Sequence, residues 1–268
     1  MPHDAAQTRS PIVHDHLYDY PKYYDLVFAS DWKAEFHFLQ QCIAKHAQRP
    51  VRRMFEPACG TGRLLIKLAS AGFEVSGNDL NQRAIDFCND RLQRHGFPAT
   101  AVVGDMSAFR LPRRVDAAYN MINSFRHLQN EQLADDHLKC VERSLAKGGL
   151  YILGLHLTPT RGARVEDERW LARRGSLTVE SYMWSKELDL RRRQERLGMS
   201  FDVRTPTRTR RIVDEMIYRT YTAAQMERLL KKRSALRVVA TYDFLYDIEA
   251  PIDVGPESED VVYVLEKS

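Results

Sequence analysis

Along the first 160 residues the apolar positions switch repeatedly between two spacings. From residue 17 to 47, aromatic and aliphatic side chains recur every three to four positions (Tyr20, Tyr23, Tyr24, Phe28, then Phe36, Leu39, Ile43). That spacing predicts two short helices packed on something larger. Arg49-Pro50 ends the section, because the residue before proline resists the helical region. A β-type run over 51–56 follows, then helical spacing over 62–71 through Leu64, Leu65 and Leu68, stopped by Gly72. Residues 73–79 read as a strand, and 81–95 as a helix that buries Ile85, Cys88 and Leu92 and closes at Gly96. The runs 100–104 and 115–122 are again strand-like. Residues 131–147 are helical through Ala134, Leu138, Val141 and Leu145, with Gly148-Gly149 as the stop, and 150–157 is a buried-strand run. Strands alternating with helices through short connections demand a parallel sheet covered on both faces, so the fold class is doubly wound α/β.

After residue 158 the pattern breaks. Three stretches with partial alternation, 176–188, 196–203 and 208–221, follow one another without a crossover helix, which predicts a small antiparallel sheet inserted into the α/β domain. Met183, Trp184, Met199 and Phe201 are expected to form its own core. Thr222 and Gln225 make a capping box, and Met226, Leu229 and Leu230 continue a helix, so the core pattern resumes there. Strands over 238–245 and 261–265, joined by an acidic loop through Pro251, Gly255 and Pro256, complete the chain. Residues 1–16 are polar, carry three histidines at no repeating interval, and read as a mobile tail.

Composition narrows the picture. With 268 residues, 44% hydrophobic and 28% charged, the chain is globular, one core of roughly 200 residues carrying an insertion. No apolar run approaches the roughly 18 residues that span a bilayer, and the start lacks the charged-then-apolar plan of a secretory signal. Cys42, Cys59, Cys88 and Cys140 are too far apart for a zinc knuckle or redox pair, so no metal is expected and the thiols read as reduced, in a cytoplasm. The formal charge of +4 is too small to announce nucleic acid. Its excess is local: residues 161–219 hold 14 Arg and 1 Lys against 10 acidic residues, although the signs alternate, and Arg191 to Arg193 read as an exposed turn or strand edge.

Chemistry concentrates in Met54-Phe-Glu-Pro-Ala-Cys-Gly-Thr-Gly-Arg63. A carboxylate, Glu56, ends the first core strand, and Gly60 and Gly62 form a tight turn before a helix whose N-terminus offers unpaired N–H groups. Asp79 lies 19 residues beyond Gly60 at the end of the second strand, where a carboxylate can accept both hydroxyls of a ribose. A dinucleotide site needs a third glycine where Leu65 stands, and a Walker site needs Gly-Lys-Ser/Thr where Gly62-Arg63-Leu64 stands. Glu56 would repel a pyrophosphate and welcome a cation, which favours S-adenosylmethionine, a sulfonium and ammonium without phosphate.

On these residues the chain resembles the class I S-adenosylmethionine-dependent methyltransferases, of small-molecule type. Glu56 to Arg63 (EPACGTGR), Gly77 to Ile85 (GNDLNQRAI), Val102 to Phe109 (VVGDMSAF), Asp116 to Leu128 (DAAYNMINSFRHL) and Ser144 to Leu153 (SLAKGGLYIL) carry the resemblance in the family's order. It implies a Rossmann-like, seven-stranded, mostly parallel sheet with the antiparallel insertion after the fifth strand and an N-terminal helical cap. Its segments would be a tail at 1–16, a cap at 17–49, a cofactor core at 50–160 and 222–268, and a lid or substrate subdomain at 161–221. It further implies that Glu56, Ala58, Gly60, Gly62 and Arg63 line the methionine half of the cofactor, that Asp79 holds the ribose over Leu80, that Asp105 and Met106 meet adenine, and that Asn120 lies beside the sulfonium. Tyr24 would close over the cofactor, and His127 or His156 would serve a hydroxyl acceptor as base. Asn120 is followed by Met121-Ile122-Asn123 and not by Pro-Pro-Tyr/Phe, which argues against a base-flipping amino methylase.

Blander readings stand beside these. Asp79 could cap the helix starting near Asn81, Asp105 could cap a loop, Tyr24 could fill the core, and His156 could be structural. Arg126 and His127 could contact substrate or be solvated loop residues. The expected partner is a small-molecule N or O acceptor, without nucleic acid or membrane, for a monomer or homodimer. The rivals are an RNA methyltransferase gripping with the basic insert and a non-catalytic S-adenosylmethionine-binding protein.

Overall fold

The structure is a computed structural model describing residues 12–29 and 32–268. It opens with β1 (Ile12–His14), a 3-10 turn (Leu17–Asp19), α1 (Pro21–Phe28) and α2 (Trp32–His46). The alternating core follows: β2 (Arg53–Pro57), α3 (Leu65–Ser70), β3 (Glu74–Asp79), α4 (Gln82–Arg94), β4 (Ala101–Val103), β5 (Val115–Asn120), α5 (Glu131–Ser144) and β6 (Leu145–His156). Four long strands come next, β7 (Asp167–Arg174), β8 (Leu177–Asp189), β9 (Gln194–Thr205) and β10 (Arg208–Arg219), before α6 (Ala223–Lys231), β11 (Leu236–Tyr242) and β12 (Asp260–Lys267) close the chain.

The central sheet has seven strands in the order β11-β12-β6-β5-β2-β3-β4. β12 runs antiparallel to both of its neighbours, and the pairs among β2 to β6 are parallel, so β12 is the one reversed strand. The strict two-residue period of the strands divides the core into two layers. Met54, Ala117, Tyr119, Leu150 and Ile152 face α2, α3 and α4, while Phe55, Ala118, Tyr151 and Leu153 face α5 and α6. β2 sits where successive strands turn from one side of the sheet to the other. The loops after β2, β3 and β5 therefore open one crevice at the carboxyl edge.

The second sheet has the order β1-β10-β9-β8-β7. Its inner face, with Val179, Met199, Phe201, Val203 and Ile212, packs with Leu17, Leu26 and Val27 beneath the N-terminal segment. Thr158 N–H donates to Tyr221 C=O at 2.7 Å, so the excursion leaves and re-enters the core at one point. It is fastened by buried charge. Arg126 donates to Glu195 Oε2 at 2.7 Å and to the Arg219 carbonyl, with both charged side chains 7% exposed, and Arg164 and Ser185 serve the other Glu195 oxygen. Arg193 and Lys232 converge on Glu131 at the start of α5.

Several sequence expectations change here. Residues 1–11 of the expected tail lie outside the described residues, but Ile12–His14 is a strand, parallel to β10 and anchored where His16 Nδ1 meets Asp214 at 2.8 Å. β7 was not expected, because only Trp170 and Ala172 of its inward positions are apolar and its outward positions are mostly charged. Trp184 is not in the insert's core: it faces the opposite side, stacked on Tyr182 and lying where a Gly198 side chain would be. Arg126 is not a solvated loop residue, since its guanidinium is buried against Glu195. Helix α5 ends at Ser144 and β6 begins at once, three residues before the Gly148-Gly149 stop.

Breaking the Arg126–Glu195 pair leaves a buried charge short of a partner. Arg126→Met is expected to cost about 3 kcal/mol and to lower the thermal midpoint by roughly 5–10 °C in calorimetry.

Candidate active site

The turn after β2 is built from unusual backbone. Ala58, Gly60 and Gly62 all have positive φ, and a Cβ on Gly62 would fall 2.2 Å from Cys88 Sγ in α4, so no other side chain fits there. At Gly60 the constraint is reversed: φ is +51° and nothing lies within 4 Å of a built Cβ, so the backbone there borders open space. Its N–H donates to Asp79 Oδ2 at 2.9 Å, while Asp79 Oδ1 accepts from Asn81 N–H at 2.9 Å. Asp79 thus braces the turn and the approach to α4, whose cap is Asn81, with lone pairs left over on each oxygen. Burial raises its pKa, and the two N–H donors oppose that rise. Two N–H groups of the turn are engaged within it, Gly62 N–H donating to Cys59 C=O and Cys59 N–H donating to Asn78 C=O, and α3 proper starts only at Leu65.

A cavity of about 490 Å³ opens at this edge, lined by Ala58, Gly60 and Thr61 after β2, Asp79, Leu80 and Asn81 after β3, and Gly104 and Met106 after β4. Ser124 and His127 close it from the loop after β5, and His16, Tyr18, Pro21 and Tyr24 from the N-terminal segment. Among the described residues that line it there is no Lys or Arg. Larger open space beside α6 and β11 lies away from the strand carboxyl ends that carry the glycine turn.

Of the residues singled out in the sequence, Ala58, Gly60, Asp79, Leu80, Met106, Tyr24 and His127 come together on this cavity. Glu56 lies behind it, 7% exposed, accepting from Tyr119 Oη at 3.0 Å, and burial pushes its carboxyl well above the ordinary range against the opposing effects of Arg63 and Tyr119. Asn120 donates to Pro57 C=O at 2.7 Å, and its Oδ1 is buried without a partner. Arg63 is no ligand of the cavity: both prongs of its guanidinium grip Glu35 of α2 at 2.6 Å. Gly62 packs on α4, and Asp105 Oδ1 accepts from the Ser107 N–H and hydroxyl, the loop cap that was its alternative reading. His156 is apart, lining a separate crevice against β7 and β8, with Nδ1 2.5 Å from Asp260.

Sequence reasoning missed the support of the Met106 loop and the aromatic wall. His137, fully buried on α5, donates from Nδ1 to Met106 C=O at 2.8 Å, which leaves Nε2 to accept from Tyr151 Oη at 2.7 Å. Tyr18 Oη and His127 Nε2 share a hydrogen bond of 3.0 Å, and Tyr18 packs edge-on against Tyr24. A histidine inside an amphipathic helix and a tyrosine just ahead of one carry no mark of such roles. Burial is the main cause lowering both histidines, His127 and His137, to about 4, and burial pushes the Tyr18 and Tyr24 hydroxyls up.

With this geometry in place, comparison with known proteins is informative. Residues 54–149 match a family model described as a methyltransferase domain. A tRNA (guanine(10)-N2)-dimethyltransferase of Methanothermobacter thermautotrophicus is 31% identical over 104 residues, which is 37% of this chain and 31% of that protein, so the likeness spans only about a third of its length. An S-adenosylmethionine-dependent methyltransferase from Clostridium acetobutylicum superposes with TM-score 0.75 at 19% identity over 94% of this chain and all of the other. The sugar N-methyltransferase KedS8 from Streptoalloteichus gives 0.71 at 16% over 98% of each. The fold of the chain is thus that of these S-adenosylmethionine-dependent methyltransferases, and its residues 54–149 match a methyltransferase domain.

Two histidines, the buried His137 and the half-buried His127, set an acid limit. Each has a folded pKa near 4, below the unfolded value near 6.5, so the unfolded chain takes up protons first and stability falls as pH drops from about 6.5 to about 4. Urea titrations across that window should show a loss of up to about 3 kcal/mol per histidine, and His137→Gln should make the slope shallower.

Proposed function

We infer that this chain transfers a methyl group from S-adenosylmethionine to a nitrogen of a small-molecule amine. The observation that carries the reading is the cavity built on Gly60 and Asp79 and roofed by Tyr18 and Tyr24, with no Lys or Arg among the described residues that line it. Two features support that cofactor. The open space at Gly60 suits a ligand lying against backbone, and the orphaned Asn120 Oδ1 with the buried Glu56 suits an ammonium. A pyrophosphate would find no lysine or arginine among the residues lining this cavity.

When bound, S-adenosylmethionine supplies a methyl group already activated by its sulfonium. The protein has then to hold, align and keep dry. Asp79 would accept ribose hydroxyls, Met106 would meet the adenine end, and Ala58 and Gly60, with Glu56 and Asn120 behind them, would take the methionine end. Tyr18, Pro21 and Tyr24 shut the cavity against water. Orientation of this kind contributes roughly 7–11 kcal/mol, against about 3–5 kcal/mol for a positioned base.

His127 supports a nitrogen over an oxygen acceptor. At about 4 it is neutral at physiological pH but a weak base. Taking a proton from a phenol near pKa 10 would be uphill by about 8 kcal/mol. A neutral amine needs no proton removed before attack, and the proton can leave afterwards by way of water. The N-methyltransferase KedS8, which shares the fold through the insertion, is consistent with an amine acceptor. The insert's arginines support a small acceptor over RNA, because Arg164, Arg193, Arg204 and Arg211 are each paired with a carboxylate. Buried, unbonded cysteines support a reducing compartment such as the cytoplasm, and no helix among the described residues is long and apolar enough to cross a membrane.

Equilibrium dialysis with labelled S-adenosylmethionine should give saturable binding; none at millimolar concentration removes the proposal. Because Glu56 is protonated more readily than an ordinary carboxyl, affinity should rise with pH as it ionises, and Glu56→Gln should flatten that dependence. With any accepted amine, the acid limb of the rate profile should follow that amine's own pKa; a limb fixed near 6.5 for every acceptor would contradict the role given to His127.

A further inference from the structure

One residue of α1 points away from the cavity and is buried more deeply than its neighbours there. Asp25 is 1% exposed, on a helix whose other buried residues are Leu26 and Val27. A carboxylate so placed has to be paired, and three elements supply partners. Thr61 Oγ1 donates to its Oδ1 at 3.1 Å from the glycine turn, Arg91 of α4 meets its Oδ2, and Arg174 of β7 stands 3.8 Å from the same oxygen. Thr61 is itself buried and lines the cavity, while the residue before Asp25, Tyr24, forms the cavity's wall. The second helix of the cap repeats the device: Glu35 of α2, 3% exposed, holds Arg63 two residues further along the turn.

Each cap helix therefore sets one buried carboxylate on the turn that Gly60 and Gly62 shape. Resting on the methyl-transfer reading, we propose that Asp25 is a positioning residue that couples the seating of α1 over the cavity to the conformation of the cofactor-binding turn. Asp25 does not line the cavity; it acts through Thr61, whose hydroxyl hydrogen is committed to the carboxylate and whose main chain continues from Gly60. Lifting α1 would strip Asp25 of Thr61 and Arg91 together and leave two charges unpaired. The cap is accordingly seated or fully released, with few stable positions between. Whatever favours the seated cap favours the ligand-ready turn, and by linkage a bound cofactor favours the seated cap.

The experiment uses the full chain and calorimetric titration with S-adenosylhomocysteine on wild type, Asp25→Asn, Thr61→Val and the double variant, with Thr61→Ser as the conservative control. Each single change is expected to weaken binding by about tenfold. Thr61→Ser should restore it to within about threefold, and the double variant should be little worse than the weaker single one. Wild-type affinity in Asp25→Asn, or losses that multiply to about a hundredfold in the double variant, would overturn the coupling. Should Asp25→Asn fail to fold, the Thr61 pair decides alone: equal binding by Val and Ser variants overturns the proposal, and loss in Val with retention in Ser upholds it. Absence of binding by wild type would sink the methyl-transfer reading itself, an outcome separate from all of these.

Discussion

A carboxylate drawn partly out of water at the end of a strand needs donors, and Asp79 finds one of them in the turn that follows the neighbouring strand. The bond from Gly60 N–H to Asp79 fixes the two loop ends relative to each other and holds the turn in a left-handed path that only small residues tolerate. Parallel strands carry no such connection of their own at their tips. Without it the crevice at the switch of strand order would be a gap between two loops; with it, the crevice has a shaped floor with acceptors at one side and open space over Gly60. The cavity walls from the N-terminal segment, and the Arg63 and Thr61 anchors, are arranged around that floor.

Buried charge does the joining elsewhere. Glu195 gathers Arg126 and Arg164, Glu131 gathers Arg193 and Lys232, and Asp25 gathers Arg91 and Thr61. Each cluster bridges elements distant in sequence, and each is sensitive to losing a single member because the remainder would be left uncompensated in a low dielectric. Apolar contact would hold the same pieces with less demand on geometry. Charge adds direction, so the second sheet and the cap sit in defined places against the core.

The alternating core was legible because its periods are strong: two-residue alternation divides Met54 from Phe55 and Leu150 from Tyr151 onto opposite layers, and helical spacing marks α4 and α5. The turn residues and Asp79 were legible because glycine and carboxylate at strand ends have few other uses. What the sequence hid was pairing at a distance. β1 is three residues long and exists as a strand only because β10 lies beside it. β7 presents mostly charge outward, and Arg63 and Arg126 looked available until Glu35 and Glu195, 28 and 69 residues away, were found against them. Tyr18 and His137 act through contacts that no local spacing announces.

The clasp between Thr158 and Tyr221 has an evolutionary consequence. A segment whose two ends meet can lengthen, shorten or be exchanged with little penalty to the rest, because closing a loop becomes only slowly harder as it grows. The β7 to β10 excursion thus behaves as a cartridge. Descendants of such a chain could trade it for another while the crevice at the strand ends, with Gly60 and Asp79, is inherited unchanged.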